Sequence, residues 1–420
     1  MTTPPSSVKW LEPGDAPASL IAKVGALPVG KSVVLKVLRK GKPLELRLAL
    51  IEKPRDPGSD QYAVAYSDVT SHGHRMRTII TQPRTPGRHP ALMFIQGFSP
   101  ISYDYRLDGP GLDAPILLAF ARGGFVTMRV DKPGVGDSEG GPFATVDFVT
   151  ETDIYRQALF QLKGLDGVDT SNVFVFGHSM GGAFGPVVAC EIPVRGMILY
   201  GIESRTWHEY LLDTLRYQEL LAGKSYAGVD DDVRASSRAM EMVFQDHMTT
   251  LQIKASHPEL AAIVDTTFPG GLFNAKTSDF WSQLENTNFA WYWSRCGARV
   301  LAAHGASDFV TYSVDHRLVA DIDRGRKSRA LADGRVQSRV HRYHEGLDRS
   351  GHAGKRMTSA CAAVIRRTAN VMRASGGARG RSAGSARDPG CRRGPARLSC
   401  SPSAAATTPA RRVSCRSSCS

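Results

Sequence analysis

Two five-residue windows set a serine midway between two glycines: Gly136-Asp-Ser138-Glu-Gly140 and Gly177-His-Ser179-Met-Gly181. A serine hydroxyl becomes a useful nucleophile when a sharp strand-to-helix turn lifts it clear of the sheet and a base takes its proton. That turn is strained, so the flanking positions must be small. The chain has 41 glycines in 420 residues, so the pattern alone is weak and its surroundings decide. Val173-Phe-Val-Phe176 precedes Ser179 as a buried strand would. Met180-Gly-Gly-Ala-Phe-Gly185 then runs into Pro186-Val-Val-Ala-Cys190, small residues where a helix must approach closely. Ser138 also follows an apolar run, but Gly140-Gly-Pro142 comes next and no helix starts there. Ser179 is therefore the candidate nucleophile, and Ser138 a loop residue.

A serine held this way needs a rigid platform, and 58–323 supplies one. Apolar runs at 62–69, 75–81, 91–96, 125–130, 173–176, 196–200 and 299–304 read as strands, and 112–122, 151–165 and 180–190 as helices. Short, nearly all-apolar strands separated by helices predict a mostly parallel central sheet with helices on both faces, an α/β class fold. The rhythm breaks over 204–294, which is helical in pattern and holds Trp207, Trp281, Trp291 and Trp293. This stretch reads as an inserted helical cap. Its tryptophans either line an apolar acyl pocket or form the cap's own core.

Four segments fall in order between the strands: Phe94-Ile-Gln-Gly-Phe98, Val130-Asp-Lys-Pro-Gly-Val-Gly-Asp-Ser-Glu-Gly140, Val175-Phe-Gly-His-Ser-Met-Gly-Gly182 and Val300-Leu-Ala-Ala-His-Gly-Ala-Ser-Asp308. Through them 60–322 resembles an α/β-hydrolase-fold serine hydrolase of the esterase or peptidase kind. The resemblance implies that Ser179 attacks an ester or related acyl bond. Charge then builds on the substrate carbonyl oxygen and needs preorganised N–H donors. The resemblance places these at Met180 and Phe98, with Gly97 letting the backbone approach closely. Asp308, in the loop after 300–303, would orient an imidazole and stabilise its cation. Asp315 is the weaker competitor, lying inside the helix expected over 310–321.

The base should follow one more strand. His316 comes too early, on that helix. His341, His344 and His352 remain, beside a poor last-strand candidate at 334–343. Gly346-Leu-Asp-Arg349 puts arginine where this family often carries histidine. His352, following Gly351 in a loop, is the narrow choice and His344 the next. Carboxylesterases, thioesterases and peptidases share this machinery. The serine argues against haloalkane dehalogenation, which needs a carboxylate there, and no cofactor is implied. The rival reading is a catalytically impaired hydrolase-fold protein, or a binding protein, because a serine without a base is a weak nucleophile.

The net charge of +13 divides unevenly. From Arg324 onward 22 Lys and Arg face 4 Asp and Glu, leaving 31 basic and 36 acidic residues before it. The charge belongs to a tail, 324–420, rich in Arg, Ala, Ser and Gly, which also holds Cys361, Cys391, Cys400, Cys415 and Cys419. Such a low-complexity segment cannot offset its ordering entropy by burial and is expected to be disordered. An off-frame read of a GC-rich gene would produce such a string, and would explain the irregular base as well. Its arginines are not interleaved with aromatics, so nucleic acid is not an expected partner. The expected partner is a small-molecule acyl or ester substrate; the sequence leaves the oligomeric state open. No apolar run nears the roughly 18 residues of a membrane span. With Cys190 and Cys296 as the body's only cysteines and no visible secretory signal, a cytoplasmic location is expected. His72 and His74 have no third ligand placed beside them, so no metal site is expected. His178 reads as a packed neighbour of the nucleophile.

Ahead of the body, 32–39 and 44–50 are β-rich, the second with Leu44, Leu46, Leu48 and Leu50 on one face. Arg39-Lys-Gly-Lys-Pro43 between them reads as a hairpin turn. A lone hairpin is marginal in water and should pack on something. From Val29 to Leu50 this segment resembles the C-terminal half of a PDZ domain. The resemblance implies edge-strand peptide recognition, but the half that holds a peptide carboxylate is missing, so 1–57 reads as a partial PDZ-like segment.

Overall fold

The computed structural model describes Val24 and residues 27–324, apart from Pro110 and Leu112. The strand expected over 334–343, His341, His344, His352 and the remainder of the basic tail lie outside the described residues.

Two N-terminal strands, β1 (Ser32–Arg39) and β2 (Lys42–Ala49), pair antiparallel as a separate sheet. Lys40 and Gly41, at φ 54° and 75°, form the two-residue turn, in the mirror-image geometry that matches the twist of a hairpin. The expected apolar face of β2 is not buried: Leu44 and Leu48 are 36 % and 44 % exposed. Leu44 stands opposite Val37 and Leu46 opposite Leu35. The alternation thus sets cross-strand pairing without marking a covered face.

The main sheet has seven strands in the order β3-β4-β6-β5-β7-β8-β9. They are β3 (Tyr62–Ser71), β4 (His74–Pro83), β5 (His89–Ile95), β6 (Val126–Val130), β7 (Val168–His178), β8 (Gly196–Tyr200) and β9 (Arg299–Ala303). β4 pairs antiparallel with both β3 and β6, and the remaining neighbours are parallel. Around the sheet lie α1 (Ala114–Arg122), α2 (Phe148–Gly164) and α3 (Gly181–Glu191). The all-apolar strands are explained by two cores. Leu92, Phe94, Phe174, Phe176 and Ile198 pack with Leu117 and Phe120 of α1, whereas Met93, Val175 and Leu199 pack with Leu159 and Phe184 of α2 and α3. Successive residues of one strand thus bury on opposite faces. This is the α/β-hydrolase fold.

Between β8 and β9 lie six helices: α4 (Trp207–Leu221), α5 (Tyr226–Phe244), α6 (Thr250–Ser256), α7 (Ala261–Thr267), α8 (Ser278–Glu285) and α9 (Phe289–Arg295). Thr206 and Glu209 close a reciprocal capping box at the start of α4, and Thr249 and Gln252 do so at α6, which satisfies donors that a helix start leaves open. Trp207, Trp281 and Trp293 are buried, while Trp291 is 47 % exposed. Trp281 packs on Trp207, Phe273 and Phe280 with ring centroids 4.9–5.4 Å apart. Trp207, Trp281 and Trp293 therefore belong to the core, and Trp291 does not. The final helix, α10 (Ser313–Arg324), starts three residues later than expected, because the Asp308 carboxylate binds the backbone N–H groups of Val310 and Thr311 and holds them in the loop. No helix among the described residues is long and apolar enough to cross a membrane.

Candidate active site

β7 ends at His178 and α3 begins at Gly181, so Ser179 and Met180 make the whole turn. Ser179 has φ 53°, a left-handed conformation that a side chain adopts only when its surroundings enforce it. Two backbone bonds do so. The Ser179 N–H donates to the Tyr200 carbonyl at 2.9 Å, and the Ser179 carbonyl accepts the Gly182 N–H at 2.7 Å. The neighbouring glycines are required by contact. A Cβ on Gly181 would overlap the Ile95 carbonyl oxygen, and one on Gly182 would overlap Cγ2 of Ile202. α3 therefore starts hard against the ends of β5 and β8, with the serine at its N-terminus.

The turn after β5 passes directly beside that serine. A Cβ on Gly97 would lie 3.3 Å from the Ser179 Cβ and 3.8 Å from its Oγ. Neither the Phe98 nor the Met180 N–H donates to any group among the described residues. Met180 is buried, and an unpaired donor in such a place calls for an acceptor.

Asp308 lies in the loop after β9, and its carboxylate reaches the residue that follows β8. Gly201, at φ 57°, follows the Tyr200 whose carbonyl holds Ser179, and a Cβ there would be 3.4 Å from the Asp308 Oδ2. Asp308 Oδ1 accepts the Val310 and Thr311 N–H groups at 2.9 and 3.0 Å, and Oδ2 accepts the Thr311 hydroxyl at 2.7 Å. The carboxylate is oriented by its own loop.

The competitors are occupied elsewhere. Asp315 on α10 is fully buried, accepts the Ser204 N–H at 3.0 Å and pairs with Arg205 at 3.2 Å, so it fastens the start of the insertion to α10. Ser138 accepts the Arg77 N–H at 2.9 Å and donates to the Asp131 carbonyl at 3.0 Å. His178 lies 3.4 Å from Asp113, which also accepts the Tyr103 hydroxyl at 2.8 Å. His72 sits in the β3–β4 turn at φ 49°.

His316 is locked in its neutral form. Its Nε2 accepts the Ile202 N–H at 3.3 Å, so its Nδ1–H must donate to the Tyr312 carbonyl at 3.0 Å. Burial, then the His304 ring 4.8 Å away, pushes its pKa down to about 4. The unfolded chain then takes this proton first as the medium turns acid, so the His316 contribution to stability is complete above pH about 6.5 and is lost as pH falls through about 4. His316→Gln cannot titrate. Its urea midpoint is expected to fall less than that of the wild type between pH 7 and pH 4. Equal slopes would remove His316 as the cause.

Several charged groups near the site are not signalled by the sequence. Glu203, two residues after Gly201, is buried with Oε2 lacking a hydrogen-bond partner. Burial, then Asp315 and Asp308, push its pKa up to about 8. Lys132, Glu151 and Lys276 meet behind the Phe98 turn. Each sits in a polar window of ordinary composition, and only the fold reveals their burial.

No protein-family model matches the chain. The chain is 26% identical to Esterase EstD of Thermotoga maritima over 155 residues, 37% of this chain and 36% of EstD. It thus spans about a third of that relative's length. Among solved structures, Est1E from Butyrivibrio proteoclasticus aligns with a TM-score of 0.45 and 11% identity, over 74% of this chain and 99% of that one. An esterase of Pyrococcus furiosus aligns with a TM-score of 0.41 and 11% identity, over 65% of this chain and 82% of that one.

Proposed function

We propose that this chain is a serine hydrolase cleaving an ester or related acyl bond of a small molecule. The observation that carries the reading is Ser179 itself, held left-handed between β7 and α3 with the Gly97 turn packed against its side chain. The Ser179 Oγ attacks the acyl carbon while an imidazole takes its proton. The carbonyl oxygen becomes an oxyanion facing the otherwise unpaired Phe98 and Met180 N–H groups, aided by the positive end of α3. The imidazole passes the proton to the departing alcohol, and water then releases the acyl group by the same steps in reverse order. Asp308 orients the imidazole. His352, with His344 and His341 as alternates, supplies it from outside the described residues. The EstD similarity supports the ester-hydrolase class.

The test is fluorophosphonate labelling of the folded full-length protein together with hydrolysis of p-nitrophenyl acetate. Labelling and turnover support the hydrolase. Folded protein that shows neither favours the second reading, a hydrolase-fold protein without a working base. Among the described residues that second reading has one observation behind it: both ring nitrogens of His316 are tied to backbone groups, and His304 Nε2 is bound to the Thr311 carbonyl. In an active protein, Asp308→Asn should lower kcat by roughly 10³- to 10⁴-fold with little change in KM, because it leaves the imidazole unsupported. A loss under about tenfold would move the acid role elsewhere, Glu203 being the neighbour to test.

A further inference from the structure

The oxyanion turn is flexible by composition and needs to be held from outside. Gly97 gives its backbone the widest choice of conformations, yet the Phe98 N–H must stay fixed to within a fraction of an ångström, since a misplacement near 1 Å costs about 10²-fold in rate. Two buried side chains bracket that N–H. On one side Gln96, 1 % exposed, donates from Nε2 to the Val130 carbonyl at 3.0 Å. On the other, Lys132, also 1 % exposed, donates from Nζ to the Phe98 carbonyl at 2.9 Å. Val130 ends β6 and Lys132 lies two residues beyond it.

A lysine this deep costs solvation free energy unless its charge is met. Glu151 on α2 meets it at 2.9 Å. Lys276, from the insertion, meets Glu151 at 3.2 Å and donates to the Val146 carbonyl at 2.8 Å. Lys276 lies 3.8 Å from the Phe143 ring centroid and 4.6 Å from that of Phe280, so its charge is also faced by aromatic rings. Two cations share one carboxylate, but only Lys132 touches the turn.

We propose that Lys132 and Gln96 are positioning residues that clamp the Gln96-Gly97-Phe98 turn to the end of β6 and so fix the Phe98 N–H where the oxyanion forms. The clamp rests on the serine-hydrolase reading. Lys276 anchors the insertion and balances charge without holding the donor.

The cluster provides its own control. Lys132→Met leaves Glu151 paired with Lys276, and Lys276→Met leaves it paired with Lys132, so each variant keeps one balanced ion pair. In the full chain, K132M and Q96M should each lower kcat for p-nitrophenyl acetate and the fluorophosphonate labelling rate by about 10- to 100-fold, the scale of a displaced oxyanion donor. KM should stay within about threefold, because ground-state binding does not use the donor fully. K276M should lower the melting temperature yet keep both rates within about threefold. Wild-type rates in both K132M and Q96M would overturn the clamp. So would a K276M loss equal to that of K132M, which would assign the effect to general loosening. Should K132M fail to fold, Q96M carries the test alone. A folded wild type that neither labels nor turns over overturns the hydrolase reading and the clamp with it. An active wild type with unaffected variants overturns the clamp alone.

Discussion

Ser179→Ala is expected to abolish fluorophosphonate labelling and to lower ester turnover by about 10⁵-fold or more, the scale on which a serine nucleophile is lost. The substitution removes the attacking oxygen and nothing that holds the turn. Both bonds that enforce the conformation, the Ser179 N–H to Tyr200 and the Gly182 N–H to Ser179, are made by the backbone. Alanine tolerates the left-handed region about as poorly as serine does, so strain is nearly unchanged and the melting temperature should stay within a few degrees. The unpaired Phe98 and Met180 donors survive, which leaves a small residual rate. Labelling that persists in S179A would place the nucleophile elsewhere. Ser138, the other serine in a matching motif, is then the next substitution, although both of its hydrogen-bonding roles are already filled by Arg77 and Asp131.

Gly181→Ala should be strongly damaging despite its small size. The added carbon would meet the Ile95 carbonyl oxygen, a backbone atom at the end of β5 with nowhere to go. Either α3 lifts from the sheet or the β5 end moves, and the latter carries the Gln96-Gly97-Phe98 turn with it. Overpacking of this kind typically costs about 1–3 kcal/mol and occasionally more, and the shift should also remove most labelling at temperatures where the protein stays folded. Gly185→Ala is the comparison. It lies on the same helix, but its added carbon would meet Val175 Cγ1 at 3.8 Å and Leu199 Cδ2 at 3.9 Å, ordinary contact. The better helix propensity of alanine should leave that variant neutral or more stable by about 0.5–1 kcal/mol. Urea unfolding of both decides the matter. Equal losses in the two would show that close approach at the helix start is not what selects glycine there.

The parts of this fold that the sequence announces are those written in apolar spacing. The runs at 91–96, 173–176 and 196–200 become β5, β7 and β8 with shifts at the ends, because strands buried on both faces must be apolar throughout. Direction shows only as a difference in polarity: β4, which runs antiparallel to β6, carries Arg75, Arg77 and Gln82, while β5, which runs parallel to it, is apolar from Ala91 to Ile95. The elbow is legible because Gly177, Gly181 and Gly182 answer a local steric need. The buried charges are not, since Lys132, Glu151 and Lys276 come together only through long-range packing. The open face of the β1–β2 hairpin shows the converse failure, a clear alternation with Leu44 and Leu48 left partly exposed. The loop position of Asp308 is legible from the apolar run before it, whereas the tightness of that loop, which delays α10, is not.

The left-handed backbone at Ser179 also restricts which amino acids evolution could try in its place. A branch at Cβ turns this conformation into a genuine outlier, so threonine, the other aliphatic alcohol, is strongly disfavoured. Cysteine and aspartate, both unbranched at Cβ, remain admissible on steric grounds. The geometry of one residue thus leaves a lineage carrying this elbow free to exchange oxygen for sulfur or a carboxylate, and with them its chemistry, but not to drift between the two natural aliphatic alcohols.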